Sequence, residues 1–442
     1  MVTIIMITIC VESALKSQAI GKLLSDIPNF CCVFTAGRIF DLSLSGNCSS
    51  WEVVNPDIHN YLLQQFGNSE SVIAMTDADE QGELIAYQIS LLAGGKPCAK
   101  ANVFQMTREG VLDAIRAVRP IDTQVVIRTL AERFTNYEIG KCGALDRLAG
   151  VSLAALKVAI EIESGTKIYT KTQSFEKDGY NLSATVLTKD LNCTLSEPFR
   201  HQPPSTADVL LDAVLDNRNA VTVAKDLQNL YDSGLAAYSR TPSHEWDSSS
   251  IRHLESLVIE AGYDIDTNRL RSYINDHVSH PALYTSAPFR EHYGLTYIQQ
   301  RAMSCIIKGD RYKELGSQVR SSDSAMHFNA KVISKGRPND CSKIATPEQF
   351  GFYILEANQL CKPSTLAIQT SKIAKLLWPN GLEVTNALNR YVNHAKKNYP
   401  KIEMAEKVLS FISNQAKEKS DVNSVTSTAL HISNNALAQL SR

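Results

Sequence analysis

Two carboxylates one residue apart, Asp77 and Asp79, close a short apolar run in the stretch Ser71-Val-Ile-Ala-Met-Thr-Asp-Ala-Asp-Glu-Gln-Gly-Glu83. Val72 to Met75 is short enough for a buried strand, and Gly82-Glu83 then open an amphipathic helix, Leu84-Ile85-Ala86-Tyr87. Ligands of open α/β sheets bind outside the carboxyl ends of the strands, and two hard oxygen donors there suit a hydrated Mg²⁺. The same aspartates could instead cap the helix that follows them. A further carboxylate ends the first apolar run, in Cys10-Val11-Glu12-Ser13, with Lys16 on the next helix. If the two strands are neighbours, Glu12 shares a rim with Asp77 and Asp79. There it could shuttle a proton while Lys16 neutralises a phosphate oxygen; a surface glutamate and a solvated lysine is the other reading. Tyr238 stands two residues before Arg240, within Leu227-Gln-Asn-Leu-Tyr-Asp-Ser-Gly-Leu-Ala-Ala-Tyr-Ser-Arg-Thr-Pro-Ser243. A phenol with a pKa of about 10 is a poor nucleophile at neutral pH, but a guanidinium nearby can stabilise its anion and clamp the phosphate it attacks. Most of the 16 tyrosines must be ordinary half-buried side chains, and Tyr238 could be one of them.

The elements that must position these residues alternate at first. Val2 to Val11 reads as a strand, Ser13 to Leu24 as a helix, Cys32 to Thr35 as a strand and His59 to Phe66 as a helix. Val72 to Met75 and a helix to Leu92 follow, then a strand from Asn102 to Gln105 and a helix N-capped by Thr107. That alternation predicts a mainly parallel sheet covered on both faces. Beyond Arg119-Pro120 the chain reads as helix over 122–164 and strand over 165–200. A turn at Gln202-Pro-Pro-Ser-Thr206 leads to a helical stretch over 207–232, stopped by Gly234 and followed by a short strand, Leu235 to Ala237. Helix returns from about 365, including Leu366 to Trp378 and Ile402 to Ala416, and the Ser, Asn and Thr-rich end reads as a weakly packed tail.

Bulk properties narrow the function classes. A chain of 442 residues supports several cores, and 44% hydrophobic with 21% charged residues is ordinary for a globular protein. A net charge of −1 announces no nucleic-acid partner, so any phosphate must be met by a local basic lining. The 10 cysteines include no Cys-x-x-Cys, and no disulfide framework or zinc ribbon is legible. Reduced thiols in a cytoplasm are expected. The N-terminal apolar run lacks a basic flank and reads as a strand rather than a signal peptide. No apolar span of about 18 residues predicts a membrane helix.

A strand-end Glu with a strand-end Asp-x-Asp resembles the toprim arrangement of topoisomerases, primases and some nucleases. The tyrosine segment decides among them: Leu230-Tyr231-x-x-Gly234 followed by Tyr238-x-Arg240-Thr241 resembles the catalytic motif of type IA DNA topoisomerases. Other landmarks follow in that family's order. Gly37-Arg-Ile-Phe-Asp-Leu42 resembles a Gly-His-x-x-Asp-Leu element, with Arg38 in place of His; Pro203-Pro-Ser-Thr206 resembles the Pro-rich approach to the tyrosine domain; His280-Pro-Ala-Leu resembles the downstream His motif; and Lys362-Pro-Ser-Thr365 resembles Gly-Arg-Pro-Ser-Thr.

The resemblance implies a multidomain α/β plus α fold closed into a toroid. Its parts are a toprim domain at 1–118, a helical core domain at 119–164 and 346–418, a strand-rich arch at 165–202 and 326–345, a helical tyrosine domain at 203–325, and a tail at 419–442. Tyr238 is expected to face the toprim rim across a crevice. It implies an ATP-independent, Mg²⁺-dependent isomerase: Tyr238 forms a 5′-phosphotyrosyl link, a strand passes, and the 3′-hydroxyl attacks back. Glu12 serves as general acid and base, Lys16 and Arg240 stabilise the pentavalent phosphate, and Asp77, Asp79 and Gln81 hold Mg²⁺. His280, Arg38, Thr206 and Thr241 contact DNA. The implied substrate is single-stranded or negatively supercoiled DNA, the implied state a monomer, and a helicase or mobile-element machinery a partner.

Several positions depart from the family's pattern. Asp-x-Asp-Arg-Glu-Gly is here Asp77-Ala-Asp79-Glu80-Gln81-Gly82, so an arginine has become an acid and a carboxylate an amide. Asn136 and Tyr137 replace an acid and a base in the segment after Ala131-Glu-Arg-Phe134, Ala149-Gly-Val151 lacks an arginine, and Pro281 and Tyr284 replace polar residues of the His motif. Each lost phosphate contact weakens DNA binding and its salt dependence. A catalytically weakened toroid that only binds single-stranded DNA or a partner is the alternative.

Overall fold

The computed structural model describes residues 6–45, 48–140, 153–276, 278, 280–285, 293–323, 327–333, 340–357, 371, 386–398, 410–412, 414–415 and 425–440. They divide into two compact units, the first Met1–Thr135 with Tyr231–Gly234 and Ser410–Ala436, the second Asn136–Leu230 with Leu235–Leu409 and Leu437–Arg442.

The first unit is built on a parallel sheet of β1 (Ile7–Val11), β2 (Phe30–Phe34), β5 (Ser71–Ala74) and β6 (Cys98–Lys100), in the order β2-β1-β5-β6. Ile9 pairs with both Cys32 and Ile73, so the strands bearing Glu12 and Asp77 are direct neighbours in register. Two helices, α2 (Pro56–Gly67) and α3 (Glu80–Leu92), bring Leu62, Phe66, Ile85 and Ile89 onto Cys10, Val33, Val72 and Ala74. A third, α1 (Ala14–Leu23), packs on β1 and β2 and against α4 (Arg108–Arg116). Strands with residues buried on both faces are what a helix-covered parallel sheet requires.

Three readings of this unit change. The expected strand at Asn102 to Gln105 lies earlier, at Cys98–Lys100, paired Val72 to Cys98. Its lysine is buried by hydrogen bonds described below, which is why a pattern of apolar residues missed it. The segment after Arg38 forms a hairpin, β3 (Phe40–Ser45) and β4 (Cys48–Val53), which no sequence signal announced. It is anchored by the buried Gln88, whose amide donates to the Phe40 carbonyl at 2.8 Å and accepts from the Ile39 N–H at 3.0 Å. The expected weakly packed tail is a helix, Val425–Leu440, that buries Val425, Ala429, Ile432 and Ala436. Those positions form one helical stripe; the Ser, Asn and Thr between them disguised it.

The second unit holds an antiparallel sheet of β7 (Tyr169–Lys177), β8 (Tyr180–Thr188), β9 (Ser317–Arg320), β10 (His327–Val332) and β11 (Cys341–Ile344), ordered β11-β7-β8-β10-β9. The β7–β8 hairpin turns through Asp178 and Gly179, both at positive φ (52° and 79°), as a two-residue turn between twisted strands demands. The helical stretch over 207–232 is two helices, α5 (Thr206–Leu215) and α6 (Ala220–Asp232), with Asn217 in the left-handed region between them (φ 57°). Gly234 ends the run at φ 72°, as expected. The short strand at Leu235 to Ala237 reduces to one bridge, Ala236 to Thr285. Among the described residues no helix is long and apolar enough to cross a membrane. Lys362-Pro-Ser-Thr365, Ala149-Gly-Val151, all but Ser371 of the helix at Leu366 to Trp378 and most of Ile402 to Ala416 fall outside the described residues.

Candidate active site

The first unit brings Glu12, Lys16 and Asp77 together as neighbouring strand ends predict. Glu12 Oε1 accepts the Asp77 N–H at 2.9 Å. Burial pushes the Glu12 carboxyl up to about 8, reinforced by the charge of Asp77 and opposed by Lys16. Lys16, fixed on the first turn of α1 by the Ser13 cap, is buried and ion-paired with Asp77, with Asp232 at 4.0 Å and the Tyr231 ring centroid 4.9 Å below its ammonium. Burial works against its charge, but Tyr231, Asp77 and Glu12 outweigh that and raise its pKa. Removing one partner of such a buried pair costs about 3–5 kcal/mol.

The loop from Thr76 to Asp79 is packed hard against the start of α3. Asp79 is the N-cap of that helix, its Oδ1 accepting the Gly82 N–H at 2.8 Å. Thr76 Oγ1 donates to the Gly82 carbonyl at 2.7 Å, and a Cβ on Gly82 would lie 1.9 Å from the Asp77 carbonyl oxygen. Only glycine permits that approach. Beneath the loop lies Lys100, at 0% exposure, donating to Thr76 Oγ1 at 2.7 Å and the Asp77 carbonyl at 2.9 Å. Burial lowers its pKa to about 8, against the raising influence of Glu83 and Glu12. Glu83 forms a fork with Arg119 (2.8 and 3.1 Å), and Glu80 is ion-paired with Arg128.

The magnesium expectation places Asp77, Asp79 and Gln81 around one ion, and these residues do not fit it. Asp77 is committed to Lys16, Asp79 caps α3, and Gln81 is exposed on the first turn of that helix. A dication on Asp77 beside the Lys16 ammonium meets a repulsion on the order of several kcal/mol at contact distances. Among the described residues no group of three or more His, Cys, Asp or Glu is placed to hold a metal ion.

In the second unit three landmarks separated in sequence converge on Tyr238. Thr206 opens α5 behind a capping box of Ser205 and Asp208, and its hydroxyl donates to the Ser239 carbonyl at 2.9 Å while accepting the Thr241 N–H at 2.8 Å. Thr241 Oγ1 in turn donates to the His280 carbonyl at 3.0 Å. The Ala237 N–H donates to the Tyr284 carbonyl at 3.0 Å, and that of Leu283 to the Pro204 carbonyl at 2.8 Å. The Tyr238 ring, 1% exposed, stacks on His280 with centroids 5.8 Å apart. Arg240 is half-buried. Thr206 and Thr241 thus spend their hydroxyls on the backbone that holds the tyrosine segment. In the first unit Arg38 lies 3.5 Å from Asp41, which also pairs with Arg133.

Sequence reasoning missed Lys100, Glu83, Arg119 and Arg128. Their only signal was charge inside or beside apolar runs, as in Cys98-Ala-Lys100, where a central charged residue implies a buried partner.

No family model matches the chain. DNA topoisomerase 1 of Helicobacter pylori is 29% identical over 196 residues, which cover 39% of this chain and 26% of that relative. The match therefore spans about a quarter of the relative's length. The structure of full-length topoisomerase I from Thermotoga maritima superposes with a TM-score of 0.65 over 98% of this chain and 90% of that one, at 16% identity. The chain is thus similar in sequence to a DNA topoisomerase 1 over one stretch, and similar in fold to a solved topoisomerase I over nearly its whole length.

Proposed function

We propose that the protein is an ATP-independent DNA topoisomerase acting through Tyr238 on single-stranded or negatively supercoiled DNA. The observation that carries this reading is the lacing of the Tyr238 segment to Thr206 on one side and to residues 280–285 on the other. A nucleophile that must attack one phosphodiester in line needs its backbone fixed on rigid elements. Tyr238 Oη gives its proton to water as it attacks phosphorus, the P–O3′ bond breaks, and a 5′-phosphotyrosyl ester and a 3′-hydroxyl result. Attack of that hydroxyl restores the phosphodiester and releases Tyr238, so no bond energy is lost and none need be supplied. Arg240 offsets charge on the phosphoryl oxygens. Glu12, holding its proton to about pH 8, has the form required to protonate the leaving 3′-oxygen and later to take that proton back. Lys16 fixes Asp77 and, through it, the backbone that hydrogen-bonds Glu12. No step is routed through magnesium, because the donors do not fit it.

Denaturing the protein after incubation with labelled single-stranded DNA is expected to trap a covalent adduct in the wild type and none in Tyr238→Phe. Binding without any adduct in the wild type would overturn the reading in favour of a DNA-binding protein.

A further inference from the structure

Lys100 belongs to no motif of the sequence, yet its ammonium is wholly buried under the acidic loop. It meets Thr76 Oγ1 at 2.7 Å, the Asp77 carbonyl at 2.9 Å, the Thr76 carbonyl at 3.3 Å and the Glu83 carboxylate at 4.0 Å. An ammonium has three donors, and here each has an oxygen to meet. Carbonyl, hydroxyl and carboxylate oxygens around a buried charge make the kind of seat a hard cation takes in other proteins. Lys16 is paired to the Asp77 carboxylate itself, while Arg119 and Arg128 hold Glu83 and Glu80. Asp77, Glu83 and Glu80 are thereby each met by a cation of the chain, while Asp79 is spent on the cap of α3.

We propose that Lys16 and Lys100 stand in for a divalent cation at this loop, and that Lys100 is the positioning residue that holds the Asp77 backbone against the start of α3. The consequence is a site that keeps its geometry without Mg²⁺. Lys100 sets the loop whose Asp77 N–H binds Glu12, so it acts through Glu12 and touches no reacting atom. The proposal rests on the topoisomerase reading for the reaction it serves, but not for the cation binding it denies, which is measured without DNA.

The test uses the full chain, melted in EDTA and in millimolar Mg²⁺ at matched ionic strength, with calorimetric titration of Mg²⁺ beside it. A ligand that binds only the folded state must raise the melting temperature. The expected result is a midpoint unchanged within about a degree and no binding heat; a saturable rise of several degrees overturns the proposal. Lys100→Met is expected to melt lower in EDTA and to acquire a saturable Mg²⁺ response, which a merely structural role would not create. A folded Lys100→Met chain indifferent to Mg²⁺ overturns the stand-in role, and if that variant does not fold, the wild-type titration decides alone. Preformed wild-type adduct is expected to reseal in EDTA as fast as in Mg²⁺, and resealing only with Mg²⁺ overturns the proposal. Absence of any adduct would defeat the topoisomerase reading while leaving the melting result to decide the cation question.

Discussion

Glu12 shows how much a single side chain takes from its surroundings. Its place at the end of a strand follows from the sequence, but its place beside Asp77 comes from strand pairing and its affinity for a proton from burial and the facing carboxylate. The native protein holds that proton between the ordinary value of 4.5 and about 8, where the unfolded chain has released it. Stability is therefore expected to fall as pH rises through this window and to be flat, as far as Glu12 is concerned, on either side. Glu12→Gln should flatten that part of the stability profile in denaturant titrations run at several pH values. DNA cleavage should decline as pH rises through about 8 if Glu12 supplies the proton; a wild-type rate indifferent to pH from 6 to 9 (roughly two units about a catalytic pKa) would remove it from that role. Lys100 was not legible in the same way. A lysine in a three-residue strand looks like the strand's edge, and the Thr76 hydroxyl, the carbonyls of Thr76 and Asp77 and the Glu83 carboxylate around it explain its burial.

At the scale of elements, the strand ends and several helix starts were written in strand-end carboxylates, caps and glycines. Asp79, Thr107 and Ser205 each cap the helix that follows, because a short side-chain oxygen satisfies an N–H the helix leaves unbonded. Asp79 thus realises the capping alternative that the sequence left open. The hairpin over Phe40–Val53 and the helix Val425–Leu440 were not read, because their partners, Gln88 and Thr135, lie far away in the chain. Thr206 is the clearest strut of the tyrosine segment. Thr206→Val leaves the buried Ser239 carbonyl and Thr241 N–H without their partner and is expected to destabilise the protein by about 2 kcal/mol, with Thr206→Ser near wild type. Equal denaturant midpoints for the valine and wild-type proteins would show the hydroxyl to be expendable to the fold.

For the whole molecule, 16% identity with a TM-score of 0.65 over 98% of the chain means that the architecture has been kept while most side chains changed. Cores tolerate such change when volume and pattern are kept, but surface charge drifts freely. A net charge of −1 gives the chain no excess of cations for phosphate, and among the described residues arginines are paired with Glu80, Glu83, Asp41 and Asp212. Binding of single-stranded DNA is therefore expected to show a shallow salt dependence, with a log–log slope no steeper than about −2, or roughly three phosphates at about −0.7 each. A slope near −5 in a fluorescence titration would point to a basic surface that this charge count does not anticipate.

By itself the sequence determined the parallel sheet of the first unit, the strand-end placement of Glu12 and Asp77, the cap at Thr107, and Tyr238 and Arg240 as candidate chemistry. These are local matters, fixed by apolar periodicity, by short polar side chains at helix starts and by glycines where backbone must approach backbone. Tertiary structure alone decided which charges face one another. Lys16 and Lys100 meet the acidic loop, and Thr206 and His280 meet the tyrosine segment, across separations of 23 to 61 residues in the first unit and 33 to 42 in the second. A charge has no periodicity to betray its partner, so what the Asp-x-Asp loop holds depends on which side chains the fold delivers beneath it.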